Sequence, residues 1–320
     1  MDNKLEKIRV GVIGSGSFAK KHISFWERSE KTELIGVYSE NISKDLYSKK
    51  LEYKDLIERS DIIDIVTLNY KNFIYLKEIL KKKKVVIVEK PYCINLKQLK
   101  EIESIIKILK IKNYSIFQYK FNENYKEFLK LDLEHINLIN VYGYYKRDVN
   151  FYKKNNAWRL DYNKSGGGVL INQGIHIIDL LRIISNEKLE LHKSNSKKYL
   201  SENIESDVTI NGKIDDVIIN LSFNITKIFN FETIIVNTKN EIVQFCSFGV
   251  FKSKYKLINY GKIIIFKIKN FFYKKSTSNE FEQQLNYIVD NYRSSNNSKN
   301  MSGILDAVKT HEYIFKCYEI

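Results

Sequence analysis

Three sets of residues have side chains and spacings suited to moving a hydride and a proton. Lys90 stands directly before Pro91, the single proline of this 320-residue chain, at the end of the apolar run Val85–Val88. Proline has no N–H to give a sheet and restricts the residue before it, so it ends the strand at a defined point and fixes the backbone that carries Lys90. Ligands of open α/β sheets bind outside the carboxyl ends of the strands, which is where this amine falls. The second set is Asn172, His176 and Asp179. Helical periodicity puts them on one polar stripe behind Gly166, Gly167 and Gly168, with Ile177, Ile178, Leu181 and Ile184 opposite. Short polar side chains behind a glycine run suit a lined cleft better than a solvated face. The third set is Gly14-Ser15-Gly16-Ser17-Phe18-Ala19, between a strand and a helix. There Gly14 permits a tight turn, Gly16 admits a pyrophosphate, and the small Ala19 lets the helix pack on the strand. The N–H groups that open the helix then face the phosphates.

These residues are positioned by elements that change in kind along the chain. Strand signals at Ile8–Ile13, Leu34–Tyr38, Ile62–Thr67, Val85–Val88 and Tyr114–Gln118 alternate with helical patterns at Phe18–Arg28, Phe73–Lys81 and Leu96–Leu109. Such alternation predicts parallel βαβ units in a doubly wound sheet over residues 1–119. From 120 to 320 strand signals follow one another, at Ile136–Tyr145, Val208–Ile210, Val217–Phe223, Phe231–Val236, Glu241–Phe245 and Lys262–Ile268. They predict an open, mainly antiparallel mixed sheet with one free or partner-covered face. Helices return at Gly168–Ile184, Phe281–Tyr292 and Ile304–Tyr318. The fold class is therefore α/β, a dinucleotide-binding domain followed by a substrate-binding and oligomerisation domain.

Net charge is +15, which suggests nucleic acid or an anionic surface. The lysines are spread over the whole chain, however, and the dense run Lys81–Lys84 lies where a helix ends. No apolar stretch approaches the roughly 18 residues of a membrane helix, and the polar start, Met1–Arg9, does not resemble a secretory signal. Cys93, Cys246 and Cys317 show no metal-ligand spacing, and their scarcity fits a reducing, cytoplasmic setting. At the end of the second strand, Ser39 or Glu40 is placed to hold the adenosine ribose, and no arginine stands there for a 2′-phosphate. The cofactor expected is NAD rather than NADP.

In their order and spacing, Gly11–Gly16 with His22, Glu89-Lys90-Pro91, and Gly166–Gly168 with Asn172 and His176 resemble the Gfo/Idh/MocA oxidoreductases. The string Trp158-Arg159, then the glycines and Asn172-Gln173-Gly174-Ile175-His176, is most similar to bacterial dehydrogenases that oxidise C3 of UDP-linked N-acetylglucosaminuronate for surface polysaccharides. The resemblance implies cofactor contacts at Gly14, Gly16, Ser17, Phe18, Ala19, Ser39, Glu40, Thr67, Asn69, Glu89, Lys90 and Pro91. It implies substrate contacts at Lys146, Trp158, Arg159, Asn172 and Gln173. No metal is expected, and the exposed face of the second sheet is a natural surface for a homodimer or homotetramer. Leu68, Asn72, Lys83 and Lys120 depart from residues usual in the family, namely proline, histidine, glycine and arginine. Oxidation of a secondary alcohol needs a base as the hydride leaves. His176 is expected in that role, with Lys90 on the reacting oxygen. Alternatives are a dehydrogenase of free sugars or cyclitols and a non-catalytic dinucleotide sensor.

Overall fold

Strands of four to seven residues, most of them carrying buried Val and Ile and alternating with helices, build the first sheet of the computed structural model. The structure describes residues 6–147, 149–153, 157–226, 228–253, 279–294 and 302–319. Two compact units divide the chain: Met1–Phe117 with Asp161–Gly166 and Gln284–Glu312, and Gln118–Leu160 with Gly167–Gln283 and Tyr313–Ile320. The division is discontinuous, whereas sequence alone suggested a single cut after residue 119.

In the first unit β1 (Ile8–Ile13), α1 (Ser17–Arg28), β2 (Thr32–Tyr38), α2 (Tyr53–Arg59), β3 (Ile62–Ile65), α3 (Asn69–Lys81), β4 (Val85–Glu89), α4 (Leu96–Leu109) and β5 (Asn113–Ile116) follow in order. The strands lie β2-β1-β3-β4-β5, all parallel. The strand order reverses at β1, so the switch point at which such sheets bind ligands falls at the carboxyl ends of β1 and β3. The open edge of β5 is covered from within the same unit. Ser115 N–H donates to Ser302 O at 2.7 Å, and buried Gln284 donates to Ser115 O at 3.0 Å.

The second unit holds β6 (Ile136–Lys146), β7 (Leu189–Lys197), β8 (Asp207–Ile214), β9 (Val217–Thr226), β10 (Phe231–Thr238), β11 (Ile242–Cys246) and β12 (Gly249–Ser253), in the order β12-β11-β10-β6-β9-β8-β7. β6 and β9 run parallel and the other pairs antiparallel, as expected of a mixed sheet. Residues of β9 alternate between buried and more exposed, leaving Asn220, Ser222 and Asn224 on the less covered face. Helix α5 (Glu123–Leu129) packs Phe128 edge-on against Phe245 of β11, ring centroids 5.5 Å apart. The strand expected at Lys262–Ile268 lies outside the described residues.

Two expectations change. Leu170–Gly174 forms a π-helical turn before the helix Ile175–Ile184, so the periodicity that aligned Asn172 with His176 and Asp179 is broken. That helix is buried nearly all round. Asp179 is only 1% exposed, and Lys120 (3.4 Å) and Arg182 (3.1 Å) pair with it and offset the cost of burying its charge. In addition, Tyr162–Ile184 reaches the length and hydropathy of a spanning helix, contrary to the expectation that none would, and 83% of its most apolar window is buried in the protein. That is how a core helix of a globular domain passes the same test.

Candidate active site

The first unit gathers its candidate residues at the carboxyl ends of β1 to β4. Gly14 has φ +131°, and a Cβ there would lie 2.1 Å from Val66 O, so only glycine fits. Gly16 begins α1 in ordinary extended geometry, and a Cβ added to it meets nothing within 4 Å. The space beside Gly16 at the helix start is open, and Gly16, at the cap position, has no side chain to occupy it. A cradle of this kind accepts a pyrophosphate. Ser15 Oγ donates to Asn41 O and shares a hydrogen bond with Ser39 Oγ, each at 3.0 Å, which holds the chain after β2 against the turn. Glu40 on that segment receives Lys71 Nζ at 2.5 Å and Tyr75 Oη at 3.1 Å, and these bonds hold its carboxyl below the usual range.

Asn72 explains one family departure. It is buried, accepts from Thr67 N–H (3.2 Å) and Thr67 Oγ1 (2.7 Å), and donates to Glu89 O (3.2 Å) and Pro91 O (3.1 Å). It thereby ties the loop after β3 to the turn that carries half-buried Lys90. Leu68 adopts φ −75°, ψ 147°, the conformation that a proline would impose. Lys83 adopts φ +57°, the left-handed conformation for which glycine is the usual choice. Asn69 is buried, and its amide donates to Ser165 O at 2.8 Å.

The Glu89 side chain turns into the protein. His22, fully buried, lies between Asp64 Oδ2 at 2.8 Å and Glu89 Oε1 at 3.2 Å, and Trp26 donates to the same Asp64 oxygen at 2.7 Å. Burial alone lowers the imidazole pKa, but Asp64 and then Glu89 reverse this and raise it to about 9. An imidazolium thus links α1, β3 and β4 below Lys90, whose N–H also donates to Glu89 Oε2 at 3.2 Å. Asp64, a charge inside the apolar run Ile62–Ile65, was the sequence signal for this network.

In the second unit the glycine run meets a buried carboxylate. Glu205 accepts from Gly168 N–H (2.8 Å), Leu170 N–H (3.0 Å) and Tyr318 Oη (2.7 Å). A Cβ at Gly168 would lie 1.8 Å from Glu205 O. Asn172 donates to Gly167 O (3.1 Å) and Gly168 O (2.8 Å) and accepts from Arg159 at 2.8 Å. The Arg159 guanidinium stacks on Trp158, 4.3 Å from the ring centre. Burial, aided by the like charge of Arg147, lowers its pKa to about 10. Among the described residues no carboxylate lies within ion-pair range of Arg159. His176, 5% exposed, stacks on Tyr119 with ring centres 4.3 Å apart and planes 17° from parallel. Tyr125 (3.1 Å) and Tyr145 both donate to Glu232, and Tyr119 also bonds that carboxylate. Burial holds all three phenols well above their ordinary pKa. Gln173 is half-buried beside Asn172, and Lys146 is exposed at the end of β6. Lys71, Tyr75, Arg147, Tyr119 and Glu205 were not singled out from sequence, because only the fold brings them to these positions.

Residues 8–114 match the oxidoreductase family with an NAD-binding Rossmann fold, and residues 135–241 match the GFO/IDH/MocA C-terminal domain. Glucose-6-phosphate 3-dehydrogenase of Bacillus subtilis (strain 168) is 27% identical over 183 residues, covering 54% of this chain and 52% of that protein, so the match spans about half the length of this curated relative. The WlbA dehydrogenase of Bordetella pertussis, solved with NADH and UDP-GlcNAcA, shares the fold at TM-score 0.80 and 14% identity, over 98% of this chain and 96% of that one. UDP-N-acetylglucosamine 3-dehydrogenase GnnA of Acidithiobacillus ferrooxidans does so at 0.75 and 10%, over 98% and 97%. With both family domains matched in order and the phosphate cradle formed, the chain belongs to the Gfo/Idh/MocA family, and its first domain is of the NAD-binding Rossmann type.

Proposed function

We propose that the chain oxidises the C3 hydroxyl of a sugar carrying an anionic group, a nucleotide-linked sugar such as a UDP-N-acetylhexosaminuronate, in surface-polysaccharide synthesis. The observation that carries this reading is Arg159. Its half-buried guanidinium has a lowered pKa, stacks on Trp158 and bonds Asn172, one helical turn before His176. A planar fork of donors suits carboxylate or phosphate, and Lys146 adds a second cation. Asparagine at 172 orients the sugar without placing a negative charge beside that anion.

Bound NAD supplies the hydride acceptor. Gly14, Gly16, Ser17, Phe18 and Ala19 hold the pyrophosphate, Ser39 and Glu40 the ribose, and the segments at Thr67, Asn69 and Glu89–Pro91 line the rest of the dinucleotide site. His176 takes the hydroxyl proton on its imidazole. Stacking on Tyr119 fixes the ring plane. Lys90 donates to the reacting oxygen as negative charge develops there. Residues 120–320 are assigned to substrate binding and to self-association through the less covered sheet face, and the buried free thiols Cys93, Cys246 and Cys317 suit the cytoplasm.

The relative from Bacillus subtilis favours a second reading, a sugar phosphate as substrate. NADH formation from NAD with UDP-N-acetylglucosaminuronate, UDP-N-acetylglucosamine, glucose 6-phosphate, glucose and inositol separates the readings. Turnover on neutral sugars alone refutes the anionic one, and NAD binding without turnover on any of them points to a sensor. Lys90→Met and His176→Ala should each bind NAD and lose turnover at least about a hundredfold, the scale of a lost acid–base group.

A further inference from the structure

Lys71, on the segment facing the expected ribose position, is held in an ion pair with Glu40. The segment Ser39-Glu40-Asn41 is held against the phosphate turn by Ser15, so an adenosine ribose attached to a pyrophosphate in that turn must run along it. Glu40 supplies the carboxylate of the segment. Lys71 and Tyr75, one turn apart on the same face of α3, both bond it, Lys71 Nζ at 2.5 Å and Tyr75 Oη at 3.1 Å. The pair is exposed, with half of the Glu40 side chain open to solvent. A surface pair of this kind contributes little to stability, yet it fixes where both charges lie. An acid here hydrogen-bonds a ribose diol and repels a phosphate, whereas a cation here receives a 2′-phosphate.

We propose that Glu40 selects NAD by neutralising Lys71, and that Lys71 is a latent receptor for the 2′-phosphate of NADP. This rests on the reading that the Gly14–Ala19 turn and the 39–41 segment bind the dinucleotide. It is independent of which sugar is oxidised, because the test reads binding alone.

The test is calorimetric titration of the whole chain with NAD and with NADP, for wild type, Glu40→Gln, Glu40→Ser, Lys71→Met and the Glu40→Gln/Lys71→Met double variant. Wild type is expected to bind NAD more tightly. Both Glu40 variants should bind NADP about ten- to a hundredfold more tightly than wild type, the scale of one charge-assisted hydrogen bond, and the gain should shrink as salt is added. The double variant should lose that gain, and Lys71→Met alone should weaken NADP further while NAD changes by less than about fivefold. The proposal is overturned if wild type prefers NADP, if neither Glu40 variant gains NADP affinity, or if the gain survives removal of Lys71. Wild type that binds neither dinucleotide overturns the cofactor assignment together with the proposal. Failure of the sugar reading would appear only in turnover, which these titrations do not measure.

Discussion

His22 makes stability depend on pH in a direction that the structure dictates. In the folded protein its imidazolium is held between Asp64 and Glu89 with a pKa of about 9, against an ordinary value of 6.5. A group whose pKa rises on folding contributes stability that is complete below the unfolded pKa and lost as pH climbs through the folded one. Here the window runs from about pH 6.5 to about 9, and the shift corresponds to about 3 kcal/mol. His22→Gln keeps one hydrogen bond and removes the titration. At pH 6 it leaves two buried carboxylates without their cation, a loss of about 3–5 kcal/mol. Above the window the imidazole is neutral in wild type too, so the gap between the two proteins should narrow by about 3 kcal/mol. Urea unfolding followed by Trp26 fluorescence in a Trp158→Phe background measures this at the site, since Trp26 bonds the same Asp64 oxygen. A gap that stays constant or widens between pH 6.5 and 10 would refute the imidazolium.

The glycines of the phosphate turn separate folding from binding. Gly16→Ala meets open space and ordinary dihedrals, so stability should change by less than about 1 kcal/mol while NAD affinity falls at least about tenfold, read by chemical unfolding and calorimetry. Gly14→Ala puts a methyl 2.1 Å from a carbonyl oxygen at φ +131° and should cost roughly 2–4 kcal/mol before any ligand is added. Lys83→Gly relieves a left-handed lysine at φ +57° and should raise stability by about 0.5–1 kcal/mol in urea unfolding.

Much of the first unit was legible because its strands bury most of their residues and carry apolar runs, as at Val85–Val88 in β4. Ile8–Ile13, Leu96–Leu109 and Ile304–Tyr318 have the bounds that their residue patterns indicate. The strands missed, β7 and β12, stand first and last in the second sheet's order among the described residues. β7 reads Leu-Glu-Leu-His-Lys-Ser-Asn-Ser-Lys, polar along most of its length because an edge strand buries little. The π-helical turn at Leu170–Gly174 left no mark in the sequence, since it conserves composition and changes only phase. At the candidate site the motif residues were readable, but their supports were not. Tyr119 under His176, Glu205 under the glycines, and Lys71 on Glu40 are joined to them only by tertiary contacts.

The most direct measurement of the central claim follows one hydrogen. UDP-N-acetylglucosaminuronate and glucose 6-phosphate, each deuterated at C3, are incubated with the protein and NAD, and the reduced cofactor is weighed by mass spectrometry. The account predicts deuterium in the reduced nicotinamide from at least one of them, in an amount at least about a hundredfold lower for Lys90→Met and for His176→Ala. Reduced cofactor without deuterium, or undiminished transfer in both variants, would contradict it.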